Sequence, residues 1–570
     1  MTRLPPLADL AALTDPDPER LHSAARMLES EGWRVWRPHA RWVAAERPLP
    51  GRDAGDAGRE HGLAFAQGAE RVPSPPHLQQ LAERATGAPE TLAAQPGDLT
   101  FLAFDEAGGV TAVRSCGGLV PVWTWQEGER AAVATTLGAL LDLLPVVPAL
   151  DRLTCAMWAS MQMSFPDGRG FHERVRLVPL GHAAALRPRR GWTTQRYWDL
   201  RPADPADVRH APEEHAGELR SLLVGSLERD LDDGGPNLLS LSGGVDSTSL
   251  LALAAGTLGR DVVTFTVVPD DEPSRERELG YIEQVMRRVP VRRRFDYVWY
   301  PETWRPLYSR RWEIPFPVTY PALLALPEIL EQQPVRVLFG GDFADDVCGH
   351  WWRIHDWIDA TSPGALVAGL RRLPFGRSDT GRWVKWRLRA AAGRPRLPLR
   401  EGLAEYIRPE IQEEYAQWYA ERLRAHRSDK RPNRHLAVQI ELNSDAMLCM
   451  HWEASSSLRV RRSFPFHERE MLELAGRSDV REQLGPGFKR VLRRALQNDV
   501  PAANLDRPDK GRWGGGSSAL VEPWTPWRPG LLDSILVPEW HDGPPRATRA
   551  HEVIGLESVK HVSGARVRSA

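Results

Sequence analysis

The sequence predicts an α/β protein in which a β-rich α+β region precedes a doubly wound parallel sheet with a helical C-terminal part. Three observations lead to this prediction. Over residues 97–134, short apolar segments alternate with glycine-containing turns, which is typical of strands. Over residues 238–339, apolar segments of strand length alternate with segments of helix length, which is typical of a parallel sheet covered by helices. Mostly helical patterns follow over residues 355–530.

The composition is that of a globular protein without a nucleic-acid or membrane partner. The chain has 570 residues, 42% hydrophobic and 26% charged, which is enough for two or three domains. A net charge of −1 gives no global attraction to nucleic acid. We find no signal peptide and no apolar run long enough to span a membrane. The four cysteines lie far apart without a C-x-x-C motif, which predicts a reducing cytoplasm and no zinc or disulfide framework.

The elements of the first 200 residues are predicted in order from their patterns. A helix is expected over residues 18–32 and a strand over 33–44, with a loop over the polar segment 51–60. Further strands are expected over 99–104, 110–114, 119–125 and 131–134. A segment rich in Pro, Asp and Glu over 201–214 predicts a linker between two domains.

The second region alternates strand and helix. Strands are predicted over 238–241, 262–267 and 335–339, with helices over 247–255 and 275–288 between them. A long helical pattern covers 435–458. The Pro- and Gly-rich end of the chain carries little pattern, so we divide the sequence into domains at 1–200 and 205–530 and a tail at 531–570.

The first motif is Ser-Gly-Gly-Val-Asp-Ser at residues 242–247, between a strand and a helix. A turn of this kind directs backbone N–H groups and a helix N-terminus at one point, which suits phosphate oxygens. Gly243 and Gly244 permit close approach of the backbone, and Asp246 is explained if it holds Mg²⁺ that bridges to the phosphates. No Walker motif occurs. The alternative is an ordinary turn with Ser and Asp caps.

The second motif follows the predicted strand 335–339 and contains Gly341, Asp342 and Asp345. Ligands of such sheets bind at the carboxyl ends of the strands, so both loops can face one site. Asp345 could then join Asp246 on a magnesium ion. An acidic turn without a ligand is the competing interpretation.

Residues 242–247 resemble the pyrophosphate loop of the ATP pyrophosphatases, which cleave ATP to AMP and pyrophosphate. Residues 341–349 resemble the G-x-G-S-D-E-x-x-G motif of asparagine synthetases, with Phe343 and Ala344 in place of the second Gly and the Ser. Residues 487–511 resemble that family's K-x-x-L-R-x-A, L-P and R-x-K-x-G elements. Segments at 97–101, 114–123, 177–182 and 197–199 resemble its glutamine amidotransferase domain.

This resemblance implies ATP and Mg²⁺ as cofactors and assigns the site residues. Asp246 and Asp345 are implied as metal ligands, Lys489 as a pyrophosphate contact, and Lys510 as the catalytic Lys that stabilises charge while the amide forms. The implied nucleotide-binding residues are Leu241, Ser242, Gly243, Gly244, Val245, Asp246, Ser247, Val267 and Gly341.

Two departures from the family pattern bear on the reaction. The glutamine-using members need a Cys directly after the initiator Met, but this sequence has Thr2, so we expect no glutaminase unless the true start differs. The E-x-R-x-P-F motif carries Arg461 and Ser463 in place of its Glu and Arg, and Asp342 stands where β-lactam synthetases have the Tyr of their Glu–Tyr base. Asp342 could serve as the base, or an amine could arrive partly neutral.

In lacking the glutaminase while retaining the ATP site, this sequence resembles the lasso peptide cyclases. The resemblance then implies that a side-chain Asp or Glu of a leader-free precursor peptide is adenylated and closed onto the peptide α-amine. It suggests a leader peptidase and a leader-recognition protein as further partners. The alternatives are another amide ligase on a small molecule, such as a β-lactam synthetase-like enzyme or an ammonia-dependent asparagine synthetase, and a non-catalytic scaffold that binds peptide or ATP.

Overall fold

The computed structural model describes most of the chain up to residue 507. The described ranges are 8–48, 63–67, 80–94 apart from 82 and 86, 99–159, 164–187, 190–200, 211–268, 272–298, 314, 321–349, 356, 407–427, 433–483 and 488–507. We call residues 8–200 the N-terminal half and residues 211–507 the C-terminal half. No helix among these residues has both the length and the apolar character needed to cross a bilayer.

The N-terminal half contains two antiparallel sheets. Its strands are β1 Ala8–Thr14, β2 Arg34–His39, β3 Trp42–Pro48, β4 Leu63–Gln67, β5 Thr100–Phe104, β6 Val110–Val113, β7 Trp123–Glu127, β8 Arg130–Ala134, β9 Arg176–Leu177, β10 His182–Arg187 and β11 Gly191–Arg196. Its helices are α1 Pro18–Ser30, α2 Leu137–Leu143 and α3 Arg152–Ala159, with short 3₁₀ turns at Pro89–Ala94 and Pro166–Gly168. One sheet has the order β2-β3-β1-β8-β7-β9 and the other β11-β10-β6-β5-β4.

Alternate residues of these strands fill the space between the two sheets. Leu10 and Ala12 of β1 pack with Leu102 of β5 and Ala112 of β6 in one buried cluster. The intervening residues of β1 face the other way, where helices α1 and α2 cover the first sheet. Period-2 alternation of this kind is what a sheet buried on both faces requires. The predicted β-rich α+β region is confirmed.

The C-terminal half is built on a parallel sheet. Its strands are β12 Asn237–Ser240, β13 Val262–Val268, β14 Arg293–Val298, β15 Val337–Phe339 and β16 Arg461–Ser463. They lie in the order β14-β13-β12-β15-β16, with each neighbouring pair parallel. Its helices are α4 Pro212–Asp230, α5 Val245–Leu251 continued by a π-turn at Ala252–Thr257, α6 Glu272–Met286, α7 Pro321–Gln332, α8 Ala344–Cys348, α9 Pro409–Arg427, α10 Arg434–Gln439, α11 Asp445–Leu458 after a π-turn at Ile440–Ser444, α12 Arg469–Gly476, α13 Val480–Gln483, α14 Arg490–Ala495 and α15 Ala502–Leu505.

Both faces of this sheet are covered by apolar side chains, as a doubly wound sheet demands. Leu238 and Leu338 face a cluster that contains residues of α11, whereas Leu239 and Phe339 face a cluster that contains residues of α4 and α5. Parallel strands buried on both faces read as continuous apolar runs, which is why β12, β13 and β15 were predicted within a residue or two at either end.

Three sequence predictions are wrong at the level of elements. The strand expected over 119–125 begins only at Trp123, as β7. The strand expected over 33–44 is two strands, because a turn at residues 40–41 folds the chain back to pair β2 with β3. The linker expected over 201–214 was predicted to extend too far along the chain, because α4 already begins at Pro212. Pro is favoured in the first helical turn because its missing N–H would have no partner there, and Glu213 and Glu214 suit the positive end of the helix dipole.

Candidate nucleotide and cation site

The candidate site lies where the strand order of the parallel sheet reverses. β12 and β15 are neighbours in the sheet, although β13 and β14 lie between them in the chain. Connections leaving two such strands run to opposite faces, so a crevice opens between the loops that follow them. The first motif follows β12 and the second follows β15. Both motifs singled out from the sequence therefore open into the same crevice.

The loop after β12 is held by the hydroxyl groups of two serines. The backbone N–H of Ser242 donates to Ser247 Oγ at 3.1 Å, and the two Oγ atoms lie 3.2 Å apart. Gly243 has a φ of 67°, and a Cβ there would lie 2.9 Å from a side-chain atom of α6, so the position requires glycine. Gly244 is the N-cap of α5. The first N–H groups of a helix have no intrahelical partner, which suits this turn to phosphate oxygens.

Three further residues predicted to bind nucleotide lie at the two ends of this loop or on the neighbouring strand β13. Leu241 and Val245 are buried at its two ends. The backbone N–H of Leu241 donates to the carbonyl of Phe265 at 2.9 Å, which extends the pairing of β12 with β13. Val267 is half-buried near the carboxyl end of β13, beside this pairing. Their positions are compatible with the sequence assignment, which stays a prediction.

The loop after β15 approaches the first loop so closely that its glycine is necessary. A Cβ added to Gly341 would lie 2.7 Å from the Cβ of Asp246 and 3.0 Å from the backbone nitrogen of Ser247. Phe343 then adopts a left-handed conformation with φ of 67°, and α8 begins directly after it. Asp345 therefore lies in the first turn of α8, on the same side as Asp246.

Lys489 joins the two aspartates. Its Nζ lies 2.5 Å from Asp246 Oδ1 and 2.5 Å from Asp345 Oδ1, and the residue is only 3% exposed. Burial by itself would lower the pKa of Lys489, but the charges and hydrogen bonds of Asp246 and Asp345 outweigh it and raise that pKa above its usual value. Asp246 and Asp345, about a hundred residues apart in sequence, thus share one cation.

This arrangement fits a magnesium site. Because both carboxylates touch a single ammonium nitrogen, their oxygens are close enough for one Mg²⁺ with oxygen ligands at roughly 2.0–2.1 Å to reach both after a small movement. Among the described residues, no group of three or more His, Cys, Asp or Glu side chains is arranged to hold a metal. Two carboxylates are what Mg²⁺ needs when phosphate and water supply its other ligands.

Two side chains that the sequence analysis did not single out hold the first loop from below. Asn504 donates to the carbonyls of Gly243 at 3.2 Å and of Tyr281 at 2.9 Å. Arg507, 4% exposed, pairs with Glu278 at 2.6 Å and lies over the ring of Tyr281. Arg507 stands within residues 487–511, which resemble the asparagine synthetase elements, but the sequence could not tell that its guanidinium lies 3.5 Å from the carbonyl oxygen of Ser242 in the loop.

Asp342 belongs to a neighbouring polar group. Its Oδ2 accepts from Arg462 at 3.3 Å, and its Oδ1 lies 3.9 Å from His451 Nε2. Burial and the positive charge of Arg462 hold the pKa of His451 well below its usual value, so its imidazole is neutral at pH 7. Alternate residues of β16 face opposite sides, so Arg462 reaches Asp342 while Ser463 donates to Asp230 at 2.8 Å.

The remaining sequence assignments fall outside the described residues. Lys510 lies beyond residue 507, and Met1 and Thr2 precede residue 8. The amidotransferase-like segment 97–101 is described only from Leu99 onward. The four cysteines of the sequence are all described, and every one is buried as a free thiol.

Comparison with known proteins gives one family match. The family model described as asparagine synthase matches residues 218–527. No curated protein matches the chain.

Several solved structures are similar to parts of the chain. One is the NMN synthetase from Francisella tularensis, 18% identical over 25% of this chain and 58% of that chain, with a TM-score of 0.17. Another is the allosteric regulatory enzyme of purine biosynthesis, 11% identical over 51% of this chain and 80% of the other, with a TM-score of 0.23. A third is the glutamine phosphoribosylpyrophosphate amidotransferase from B. subtilis complexed with ADP and GMP, 9% identical over 51% and 81%, with a TM-score of 0.22. The chain thus spans less than two thirds of the NMN synthetase.

Proposed function

Because this chain belongs to the asparagine synthase family, we propose that it is an ATP-dependent ligase that activates a carboxylate as its adenylate and joins it to an amine. We propose further that the carboxylate and the amine belong to the same peptide, so that the product is a macrolactam. The observation that carries the proposal is the meeting of Asp246, Asp345 and Lys489 at the switch point of the parallel sheet.

The proposed reaction has two steps. A carboxylate oxygen of the peptide attacks the α-phosphorus of ATP, the bond from that phosphorus to the bridging oxygen breaks, and pyrophosphate leaves. The peptide amine then attacks the acyl carbon, and AMP leaves with the former carboxylate oxygen. AMP is a far better leaving group than the carboxylate oxygen itself, which is why activation is needed.

The residues of the crevice divide these tasks. The loop over Ser242–Ser247 would bind phosphate oxygens. The ammonium of Lys489, a compact positive charge, would stabilise the negative charge of the departing pyrophosphate. Lys510 is proposed to stabilise the charge that develops on the acyl oxygen. Mg²⁺, held by Asp246 and Asp345, would neutralise phosphate charge when bound.

Asp342 is the proposed proton acceptor for the attacking amine. Its side chain is 23% exposed, whereas Arg462, which holds one of its oxygens, is 4% exposed. A carboxylate fixed on one side and open on the other can receive an ammonium group and take a proton from it. His451, kept neutral by burial, adds no positive charge that would repel that ammonium.

The nitrogen is proposed to come from the substrate and not from glutamine. Glutamine hydrolysis of this kind needs a reactive thiol, and buried thiols are poor nucleophiles. Burial raises the pKa of the Cys449 thiol well above its usual value. The pKa of the Cys155 thiol is also raised, mainly by burial and to a smaller extent by the negative charge of Asp151. Cys116 and Cys348 are 3% and 1% exposed. Without glutamine hydrolysis, the nitrogen comes from free ammonia or from an amine of the substrate, and we propose the amine of the peptide itself.

The direct test is incubation of the protein with ATP, Mg²⁺ and leader-free core peptides. The proposal expects a product that is one water lighter than the peptide, together with AMP and pyrophosphate. ADP as the nucleotide product would contradict cleavage between the α and β phosphates. AMP formation with small amino acids but not with any peptide would favour a small-molecule amide ligase instead.

Removal of either charged group should nearly abolish turnover. We expect Asp246→Ala and Lys510→Ala each to lower the rate of AMP formation by more than about a hundredfold, the effect of losing one transition-state contact. The measurement is single-turnover AMP release at saturating ATP. Lys385→Ala is a suitable control because that Lys lies outside residues 242–247, 341–349 and 487–511. Turnover near that of the wild type in either site variant would refute the role assigned to that residue.

A further inference from the structure

Lys489 occupies the place that a metal ion would take between the two carboxylates. Its nitrogen is 2.5 Å from an oxygen of each aspartate. A magnesium ion binds carboxylate oxygens at roughly 2.0–2.1 Å, which is shorter by only about half an ångström. The ammonium and the metal therefore compete for one position. The two cannot touch the same oxygens together without strong repulsion in a buried pocket.

The backbone of Lys489 is fixed, so any change of partner has to come from its side chain. Lys489 has a φ of 57° and precedes α14, whose Arg493 donates its backbone N–H to the carbonyl of Lys489 at 3.0 Å. Arg493 Nε also donates to the carbonyl of Phe488 at 2.8 Å. From this anchored point, a flexible four-carbon stem can carry the charge from the carboxylates to a nearby phosphate.

The local charges decide when this exchange is favourable. The ammonium of Lys489 faces both carboxylates, and the positive charge of Arg493 also interacts with Asp246, so the carboxylates are already largely neutralised. A divalent cation that entered alone would have to displace a buried ammonium from both of its carboxylate partners, which is unfavourable because a buried charge needs a compensating charge. A polyphosphate that entered with the metal would supply that partner.

We propose that Lys489 is an internal counter-ion that excludes free divalent cations, so that the site accepts metal only together with the nucleotide. This inference rests on the proposed function for the identity of the polyphosphate, but its test needs no turnover. The metal and the triphosphate then bind as a unit, and Lys489 moves from the carboxylates to the phosphates as they arrive.

The test measures Mn²⁺ binding in the absence of nucleotide, by the loss of the free-ion signal in electron paramagnetic resonance. We expect Lys489→Met to bind one Mn²⁺ about tenfold more tightly than the wild type, a coupling typical of two competing ligands. Arg490→Met is the matched control, since it removes the positive charge of the residue next to Lys489. The Arg490 guanidinium pairs with the Glu482 carboxylate at a distance of 3.9 Å. This substitution should leave Mn²⁺ affinity unchanged. Asp345→Asn in the Lys489→Met background should abolish the gain.

A second readout covers the case in which Lys489→Met is poorly folded. Millimolar Mg²⁺ should raise the melting temperature of Lys489→Met and of Lys489→Gln, but not that of the wild type, because a ligand stabilises only the fold that binds it. Equal Mn²⁺ affinity in wild type and variant, or no binding by either, overturns the counter-ion role. Failure of the wild type to form AMP would instead count against the proposed function and leave the Mn²⁺ result intact.

Discussion

Gly341 shows how one missing side chain decides whether the two loops can meet. A Cβ at this position would lie 2.7 Å from the Cβ of Asp246, closer than real carbon atoms approach, and neither neighbour is the end of a flexible chain. We expect Gly341→Ala to push the loops apart and to lower nucleotide affinity at least about tenfold, equivalent to ~1.4 kcal/mol. Titration with a fluorescent ATP analogue measures this affinity.

Gly225→Ala provides the matched control for that substitution. Gly225 is exposed in α4, and an added Cβ would meet no atom within 4 Å. Ala has the higher helix propensity, so this variant should bind nucleotide normally and be slightly more stable, by up to ~1 kcal/mol. A Gly341→Ala protein that binds as well as Gly225→Ala would mean that the loops tolerate separation.

His467 makes stability depend on pH. Burial lowers the pKa of His467 to about 4, against the raising effect of its hydrogen bond to the carbonyl of Gly117, 2.7 Å away. Between about pH 6.5 and pH 4 the unfolded chain therefore binds a proton that the folded chain does not. The stability that the neutral imidazole contributes is complete above pH 6.5 and is lost as the pH falls towards 4.

His467→Asn isolates this effect, because the Asn amide can donate to Gly117 but does not titrate. The wild type should be the more stable protein at pH 7.5, and its advantage should shrink as the pH falls to 5. Urea midpoints at pH 7.5, 6 and 5 give this difference, while His451, which shares the direction of the shift, is present in both proteins and cancels. A difference that does not change with pH would show that His467 has the same pKa in the folded and the unfolded chain.

At the residue scale, the sequence identified the carboxylates but not the cation between them. Asp246 and Asp345 follow strands of recognisable pattern, so their meeting follows from the rule that strand ends share an edge. Lys489 was assigned to pyrophosphate, and nothing local to its sequence indicates a contact with carboxylates. Arg462 and Asn504 could not be found, because their roles depend on which way a side chain faces.

At the scale of elements, α11 joins the two halves of the molecule. Asp445 at its start pairs with Arg114 of the N-terminal half at 2.8 Å, and Ser456 near its end donates to Asp9 of β1 at 2.8 Å. Between these two ends lies His451, 3.9 Å from Asp342. One helix therefore contacts the antiparallel sheets and the candidate site.

Removal of the half-buried carboxylate of Asp445, at the start of α11, should be costly. Arg114 is fully buried, so Asp445→Asn would leave its guanidinium without a compensating carboxylate. We expect a loss of stability on the order of 3 kcal/mol, measured as a lower urea midpoint. The control is Glu410→Gln, which breaks an exposed ion pair with Arg152 across the same boundary and should cost less than ~1 kcal/mol. Equal effects of the two substitutions would argue against a buried, strong contact at α11.

Element prediction succeeded where a strand carries its own apolar pattern. β15 is apolar throughout and β13 is apolar apart from Thr264 and Thr266, and the existence of both strands was predicted. β16 has the sequence Arg-Arg-Ser and was missed, because its strand conformation comes from pairing with β15 and not from local propensity. The helix predicted over 435–458 contains a π-turn at Ile440–Ser444, which periodicity cannot resolve.

At the scale of the whole molecule, the two halves share their hydrophobic cores. Trp452 of α11 is fully buried among residues of both antiparallel sheets. Another cluster joins Trp123 and Phe165 of the N-terminal half to Met450 of α11 and Leu238 of the parallel sheet. Residues of both halves bury these side chains, so the antiparallel sheets and the parallel sheet share parts of their cores, and the division of the sequence near residue 200 stays a prediction.

This sharing predicts that the halves unfold together. We expect a single calorimetric transition for the wild type, because separation of the halves would expose Trp452 and the cluster around Trp123 at once. Trp452→Ala should lower that transition as a whole, since a cavity of this kind costs about 3–5 kcal/mol. Val146→Ala, at a residue 75% exposed, should leave it unchanged. Two transitions in the wild type, or a shift of only one of them in Trp452→Ala, would show that each half carries its own stability and that α11 merely touches the sheets.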